Sequence, residues 1–189
     1  MTAGTEIERK FLVDELPPDL DWLDERPLRQ GYVALDGDTE VRVRDDAGAW
    51  RLTVKHGGGL RRVEEDMEID ARRGAALWSL TEGRRVEKRR RRIAYGGALL
   101  EVDVFEGDLE GLIVAEVEFD DEGAAAAFAP PGWFGREVTE DPAYKNRELA
   151  VGGRPASATG YRTARVSPRA SAASSPRSAT RRSTRRARA

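Results

Sequence analysis

The chain of 189 residues contains no cysteine, one histidine and two methionines. The absence of cysteine excludes disulfide bridges and thiolate metal sites, and it is compatible with a reducing compartment. No stretch approaches the roughly 20 apolar residues of a membrane-spanning helix, and the N-terminus lacks the apolar run of a secretory signal. We therefore expect a cytoplasmic protein that does not contact a membrane. His56 precedes three glycines, and we interpret it as a solvated loop residue rather than a ligand or base.

Charge of both signs is abundant but unevenly distributed. Charged residues make up 35% of the chain, and the formal net charge is −2. From Arg154 onward there are ten of the 32 basic residues and no acid, which leaves 22 basic and 34 acidic side chains, a formal charge of −12, in residues 1–153. After Gly152, serine, alanine, proline and arginine dominate, and there is little to bury. We predict a domain over residues 1–152 and a disordered Arg/Ser/Ala-rich tail over 153–189.

Charged and apolar residues alternate along most of the strand-like segments. In the first one, Glu6, Glu8 and Lys10 would share one face, and Ile7 and Phe11 the other. The same alternation recurs in segments 41–44, 51–55, 62–69, 100–104 and 115–119. A half-buried sheet with a solvated polar face also alternates in this way. Such a sheet would not usually sort its charges into purely acidic and purely basic strands, whereas a closed barrel with a charged interior explains both features.

The order of the segments indicates how they are arranged. Eight strand-like segments with hairpin-length links favour an antiparallel sheet, and eight strands suit closure into a barrel. Segments 71–80 and 124–128 have helical character, 19–25 is expected to form a helical turn, and 133–138 a short closing strand. The sequence therefore predicts an α+β, strand-rich fold: an eight-stranded closed antiparallel β-barrel, or tunnel, with a charged interior and flanking helices.

The charged face of the first segment suits a divalent cation and an anion bound together, because two carboxylates and an ammonium are unfavourable to bury otherwise. A solvated strand face is the alternative for this segment alone. The chain has no glycine-rich phosphate loop, so any phosphates would be held by side chains. Arginine makes bidentate contacts to phosphate oxygens and lysine supplies a point charge, while Mg²⁺ and Mn²⁺ prefer carboxylate and water ligands.

The motif Glu6-x-Glu8-x-Lys10 resembles the ExExK signature of the CYTH family, also called triphosphate tunnel metalloenzymes. Further motifs follow in the family's order: Gln30-Gly31-Tyr32, Val41-Arg42-Val43-Arg44, Leu52-Thr53-Val54-Lys55, Arg62-x-Glu64-x-Asp66-x-Glu68, Lys88-x-Arg90, Glu101-Val102-Asp103-x-Phe105, Ala115-Glu116-Val117-Glu118, Glu137-Val138-Thr139 and Tyr144-x-Asn146. The similarity covers about residues 5–150 and implies an eight-stranded antiparallel tunnel lined by charged side chains. Asp66 stands where the family often has Glu, which shortens its reach but keeps the charge.

The resemblance and the residue chemistry together give a candidate site. The predicted ligands of Mg²⁺ or Mn²⁺ are Glu6, Glu8, Glu64, Asp66, Glu116 and Glu118. The predicted phosphate-binding residues are Lys10, Arg42, Arg44, Lys55, Lys88 and Arg90. By resemblance, Lys10 and Tyr32 form a catalytic pair, and we expect neighbouring cations to lower the pKa of Lys10 so that it serves as a base. For Tyr32, packing in the core is the alternative.

Three functions remain open at this point. The first is a metal-dependent triphosphatase that hydrolyses inorganic triphosphate or a small organic triphosphate. The second is an adenylate cyclase that makes cyclic AMP from ATP, and the third is a non-catalytic module that binds polyphosphate or nucleotides. The lack of a purine-stacking motif favours the hydrolase, and the rows of carboxylates argue against a pure anion binder. We interpret the tail as a solvated extension rather than a contact for nucleic acid or polyphosphate, and the sequence leaves the oligomeric state open.

Overall fold

The computed structural model describes residues 7–57 and 63–156 of the chain. Within these ranges the strands and α-helices are β1 (Ile7–Leu12), β2 (Asp24–Asp36), β3 (Thr39–Asp46), β4 (Ala49–His56), β5 (Val63–Ile69), α1 (Ala71–Trp78), β6 (Arg85–Tyr95), β7 (Ala98–Phe105), β8 (Ile113–Phe119), α2 (Glu122–Ala127) and α3 (Asn146–Gly152). Glu6, Arg62 and the tail from residue 157 onward lie outside the described residues. The prediction of disorder for the tail therefore stays a prediction.

All eight strands belong to one antiparallel sheet, in the order β1-β8-β7-β6-β2-β3-β4-β5. The chain thus returns its last strand to the side of its first, and Lys10 on β1 faces Glu116 on β8. Across the described ranges, no hydrogen-bonded ladder joins the two outer strands, β1 and β5. The strand-rich antiparallel fold is confirmed, whereas closure of a barrel by backbone hydrogen bonds is not seen.

The two faces of the sheet differ sharply in chemistry. On one face, cross-strand neighbours include Lys10 opposite Glu116 and Arg90 opposite Asp103. We call this the charged face; its side chains include Glu8, Lys10, Gln30, Tyr32, Arg42, Arg44, Arg51, Thr53, Lys55, Glu64, Asp66, Lys88, Arg90, Glu101, Asp103, Glu116 and Glu118. Because side chains alternate in a strand, the intervening residues form the opposite, mostly apolar face.

The apolar face is covered by segments that leave the sheet and pack back onto it. Val13, Val102 and Ala115 are buried beneath Trp22 and Trp133. On the other half of the sheet, α1 lies against Trp50, and Asp70 caps its start by accepting a hydrogen bond from the backbone N–H of Arg73. These segments cover much of the apolar face, although Val63 and Met67 on β5 stay exposed, and the charged face is the one left for polar chemistry.

One end of the charged face is apolar. There the strands contribute Leu12, Tyr32, Val86, Phe105 and Val114, all of them buried. Segments from the C-terminal part of the described chain pack onto them with Val138, Tyr144, Leu149 and Ala150. This cluster fills one end of the charged face and fixes α3 against the sheet.

Two local predictions fare differently in the structure. The expected helical turn at 19–25 is not formed, because Asp24 and Glu25 pair with Arg92 and Arg91 and extend β2 instead. The expected closing strand at 133–138 is confirmed in part: residues 135–138 run antiparallel beside β1, with a bridge between Phe11 and Glu137 and backbone hydrogen bonds to Lys10 and Leu12. No helix in the described part of the chain is long and apolar enough to span a membrane.

Candidate active site

Lys10 lies among carboxylates. Its Nζ is 2.9 Å from Oε1 of Glu116 and 3.7 Å from Oε1 of Glu8. Burial acts to lower the pKa of Lys10, but the attraction of Glu116, Glu8 and Asp103 outweighs it and raises the pKa above its ordinary value. The expectation of a lowered pKa is therefore wrong, because the neighbours are acids rather than cations. Among these acids the charged form of Lys10 is favoured.

A buried ionic cluster lies next to Lys10, centred on Asp103. Arg90 donates from Nε to Asp103 Oδ1 over 2.7 Å and from Nη2 to Glu116 Oε2 over 2.8 Å. Lys88 also donates to Asp103, and Arg90 also donates to Glu101. Burial acts to raise the pKa of Asp103, but Lys88 and Arg90 outweigh it and hold that pKa at about 2. Asp103 thus stays ionised and fixes the positions of Lys88 and Arg90 on the charged face.

On β2 and β3 the charged face becomes basic. Arg44 donates from Nε and Nη2 to Gln30 Oε1, at 3.1 and 2.9 Å. Gln30 donates in turn from Nε2 to the Tyr32 hydroxyl over 2.7 Å. Burial raises the pKa of Tyr32 well above its ordinary value. Arg42, next along β3, has a buried Nε with no hydrogen-bond partner in the part of the chain that the structure describes.

Strands β4 and β5 carry a separate set of ion pairs. Lys55 Nζ is 2.8 Å from Glu64 Oε1, and Asp66 accepts hydrogen bonds from Arg51 Nε and Thr53 Oγ1, at 2.7 and 2.8 Å. Glu64 and Asp66 are thus engaged with cations and a hydroxyl of their neighbouring strand. They lie on the opposite edge of the sheet from Glu8 and the other carboxylates of β1 and β8.

The carboxylates on β1 and β8 suit a hard divalent cation. Glu8 lies directly opposite Glu118, and like charges in register destabilise a sheet unless a cation joins them. Oxygen donors of this type are those that Mg²⁺ and Mn²⁺ prefer. Residues 7–57 and 63–156 contain no group of three or more acidic or histidine side chains close enough to hold a metal. Glu6, the third predicted ligand at this place, lies outside those ranges.

Every predicted site residue that the structure describes lies on the charged face. They form two groups: Lys10, Lys88, Arg90, Glu8, Glu116 and Glu118 around β1, β8 and β6, and Tyr32, Arg42, Arg44, Lys55, Glu64 and Asp66 on β2 to β5. The two members of the predicted catalytic pair have different charged neighbours. Lys10 is surrounded by acids. Burial and a mixed set of neighbours, the acid Glu40 and the arginines Arg42 and Arg44, act on the pKa of Tyr32.

Sequence reasoning left out two residues on which this site depends. Asp103 is fully buried and binds both Lys88 and Arg90. Gln30 is 1% exposed and links Arg44 to Tyr32. The alternation already placed Asp103 on the charged face, and Gln30 belongs to the Gln-Gly-Tyr motif, so a signal existed for both.

A cavity of about 370 Å³ opens beside Glu101 and Glu118, and Ile7, Leu99, Phe119 and Asp120 complete its lining.

Known proteins match most of this chain in sequence. The profile of the CYTH domain matches residues 4–140. An inorganic triphosphatase of Nitrosomonas europaea is 50% identical over 153 residues, which cover 78% of this chain and 97% of that protein. One of Acetivibrio thermocellus is 42% identical over 153 residues, covering 77% and 93%.

A solved structure gives the same answer for the fold. The crystal structure of an inorganic triphosphatase superposes with a TM-score of 0.66 at 46% sequence identity, covering 78% of this chain and 95% of that one. The profile match spans well over half of the chain, and the two relatives are each matched over more than nine-tenths of their length. The chain therefore belongs to the CYTH domain family.

Proposed function

We propose that this protein is a metal-dependent triphosphatase that hydrolyses inorganic triphosphate on its charged face. The observation that carries the proposal is the Arg42 guanidinium, whose Nε is buried without a hydrogen-bond partner in the described chain. A buried unpaired donor is unfavourable unless a ligand satisfies it. A phosphate oxygen is the acceptor that best matches an arginine, in charge and in geometry.

The remaining cations extend this binding surface. Lys55 lies on β4, Arg44 on β3, and Lys88 and Arg90 on β6. Their side chains all lie on the charged face, where several negative charges of one substrate can be neutralised together. Lys10 adds a further fixed positive charge beside Glu116. Tyr32, whose pKa is raised by burial, remains protonated and can donate a hydrogen bond to a phosphate oxygen.

Glu6, Glu8, Glu116 and Glu118 would hold the ion, which we propose is Mg²⁺ or Mn²⁺. The ion supplies charge neutralisation of phosphate oxygens and activation of water. Lys10, 2.9 Å from Glu116, keeps that carboxylate in place at the edge of the ion site. Glu64 and Asp66 position Lys55 and Arg51 across the β4–β5 pair in addition to any contact with an ion.

The charged face would enclose its substrate if the two outer strands approach each other. Both β1 and β5 carry acids that point to the same face as the cations of β3 and β6. We propose that a bound triphosphate and its ion draw these edges together into the tunnel that the sequence predicted. We place inorganic triphosphate first among the substrates because the relatives at 50% and 42% identity are named inorganic triphosphatases. A cytoplasmic location and a solvated tail without a binding partner belong to the same proposal.

The test measures phosphate release from inorganic triphosphate, ATP, thiamine triphosphate and long-chain polyphosphate, each with Mg²⁺ and with Mn²⁺, beside an assay for cyclic AMP. We expect metal-dependent release that is fastest from inorganic triphosphate. Arg42→Gln should lower kcat/KM by about a hundredfold or more. Arg89→Gln is the matched control, because Arg89 lies on the opposite face and pairs with Glu25. Cyclic AMP formation, or an Arg42→Gln variant as active as the control, would overturn the proposal.

A further inference from the structure

Gln30 is the one amide among the charged side chains around Arg42 and Arg44, and it is almost completely buried at 1% exposure. Its two ends make different contacts. Oε1 accepts two hydrogen bonds from Arg44, from Nε at 3.1 Å and Nη2 at 2.9 Å. Nε2 donates to the hydroxyl of Tyr32 at 2.7 Å. The carboxamide therefore joins Arg44, one of the proposed phosphate-binding residues, to Tyr32, the candidate catalytic tyrosine.

These contacts determine where the remaining protons can go. An amide oxygen only accepts and an amide nitrogen only donates, so the Arg44 contact fixes the orientation of the whole carboxamide. The Tyr32 oxygen then receives a hydrogen bond from Gln30, and its own proton is left to be donated to another group. Two N–H bonds of Arg44 are committed to Gln30, which leaves the Nη1 side of the fork to face an anion.

The local packing keeps this arrangement rigid. Tyr32 is 1% exposed within the apolar end of the charged face, and Val86 lies opposite Gln30 on β6 and is equally buried. An amide in such surroundings is stable only when both of its polar ends are paired. Leucine or methionine would fill the same space, so packing alone does not require glutamine at this position.

We propose that Gln30 is a positioning residue: it holds Arg44 for phosphate binding and presents the Tyr32 hydroxyl as a hydrogen-bond donor to the phosphoryl group. This inference rests on the proposed triphosphatase function. Gln30 does not touch the substrate itself. It acts through two other side chains, so its removal affects binding through Arg44 and turnover through Tyr32.

The experiment is a double-mutant cycle between Gln30→Met and Tyr32→Phe, measured as kcat and KM for inorganic triphosphate. Methionine keeps the volume of glutamine but removes both contacts. We expect Gln30→Met to raise KM and to lower kcat by about tenfold in the natural protein. In the Tyr32→Phe background its effect on kcat should fall below about twofold, while its effect on KM persists. Val86→Ala is the control for lost packing. Any effect of Val86→Ala on kcat should be the same with and without Tyr32→Phe.

A second variant covers the case in which Gln30→Met does not fold. Gln30→Glu keeps an acceptor for Arg44 but has no N–H for Tyr32, so its kcat should fall in the natural background and not in the Tyr32→Phe background. An equal loss of kcat in both backgrounds, or a Val86→Ala variant with the same pattern, would overturn the positioning role. Unchanged kinetics in Gln30→Met would overturn it as well.

Binding separates this inference from the proposed function. Calorimetric titration with inorganic triphosphate should show weaker binding to Gln30→Met than to the natural protein, with or without turnover. A natural protein that neither binds nor hydrolyses triphosphate overturns both proposals. One that binds and hydrolyses it, with a Gln30→Met variant of equal affinity and kcat, overturns only the role of Gln30.

Discussion

Lys88 and Asp103 form an ion pair in which neither side chain reaches solvent, with exposed fractions of 2% and 0%. Asp103 is shared, since Arg90 binds the same carboxylate through Nε and Nη2. Lys88 and Arg90 are both proposed phosphate-binding residues. The positions of these two cations therefore depend on a carboxylate that is itself fully buried.

The first prediction concerns the removal of this charge. Asp103→Asn leaves the buried Lys88 without its carboxylate partner and removes one of the three carboxylates that Arg90 binds, so it should lower the free energy of unfolding by about 3–5 kcal/mol. Urea denaturation followed by circular dichroism measures the change. Asp24→Asn is the control, because Asp24 pairs with Arg92 at the surface and the loss should be too small to resolve. Equal destabilisation of the two variants would contradict a special role for Asp103.

The second prediction concerns acid. The pKa of Asp103 is depressed from its ordinary 3.8 to about 2 in the folded protein, so its contribution to stability is fully present above pH 3.8. It is lost as the pH falls from there towards 2. The difference in unfolding free energy between the natural protein and Asp103→Asn should therefore be constant from pH 7 to about 5 and shrink below pH 4. A difference in unfolding free energy that stays the same from pH 7 down to pH 2 would show that Asp103 is not ionised in the folded state.

The third prediction concerns the contact between α1 and the sheet. A Cβ atom on Gly74 would lie 2.2 Å from Cδ2 of Trp50, which is far inside van der Waals contact. Gly74→Ala should lower the free energy of unfolding by about 1–3 kcal/mol, because helix and sheet must separate. Gly152→Ala is the matched helical control, since nothing lies within 4 Å of its added methyl group. Thermal unfolding of both variants tests this, and a Gly74→Ala variant as stable as the control would contradict the close packing.

The fourth prediction concerns the metal. Glu8→Gln removes one of two carboxylates that face each other across β1 and β8, so the Mg²⁺ or Mn²⁺ concentration for half-maximal activity should rise by roughly tenfold or more. Glu65→Gln is the control, because Glu65 lies on the opposite face of β5 and is exposed. Metal titrations of the initial rate measure both. The ligand role of Glu8 would be refuted by identical titration curves for the two variants.

The fifth prediction concerns the arginine-rich tail. A chain that ends at Ala156 lacks nine of the ten arginines from Arg154 onward but keeps every described element. Its kcat/KM for inorganic triphosphate should stay within about twofold of the full chain, as expected for a solvated extension. A much larger loss would show that the tail contributes to the site.

The alternation of charge along the strands was enough to predict which side chains share a face. This follows from the period of two residues, which is local and can be read from the chain. The surroundings of Lys10 could not be predicted in the same way. They depend on which strand lies beside β1, and the acidic strand β8 holds the pKa of Lys10 up.

Two other outcomes were decided by contacts distant in sequence. The segment 19–25 has local helical character, but Asp24 and Glu25 reach Arg92 and Arg91 on β6, more than sixty residues away, and the extended conformation results. The carboxamide of Gln30 carries no charge pattern of its own. Its importance appears only when Arg44 and Tyr32 are seen on either side of it.

The apolar cluster that contains Tyr32, Phe105, Tyr144 and Leu149 affects how substrate could enter and how phosphate could leave. If the outer strands close into the proposed tunnel, this filled end would stop a phosphate chain from passing along its axis. Substrate would enter and phosphate would leave by the same opening, so product competes with incoming substrate at the entrance. A long polymer could present only its terminus, and shortening would proceed from that terminus by repeated encounters rather than by continuous passage.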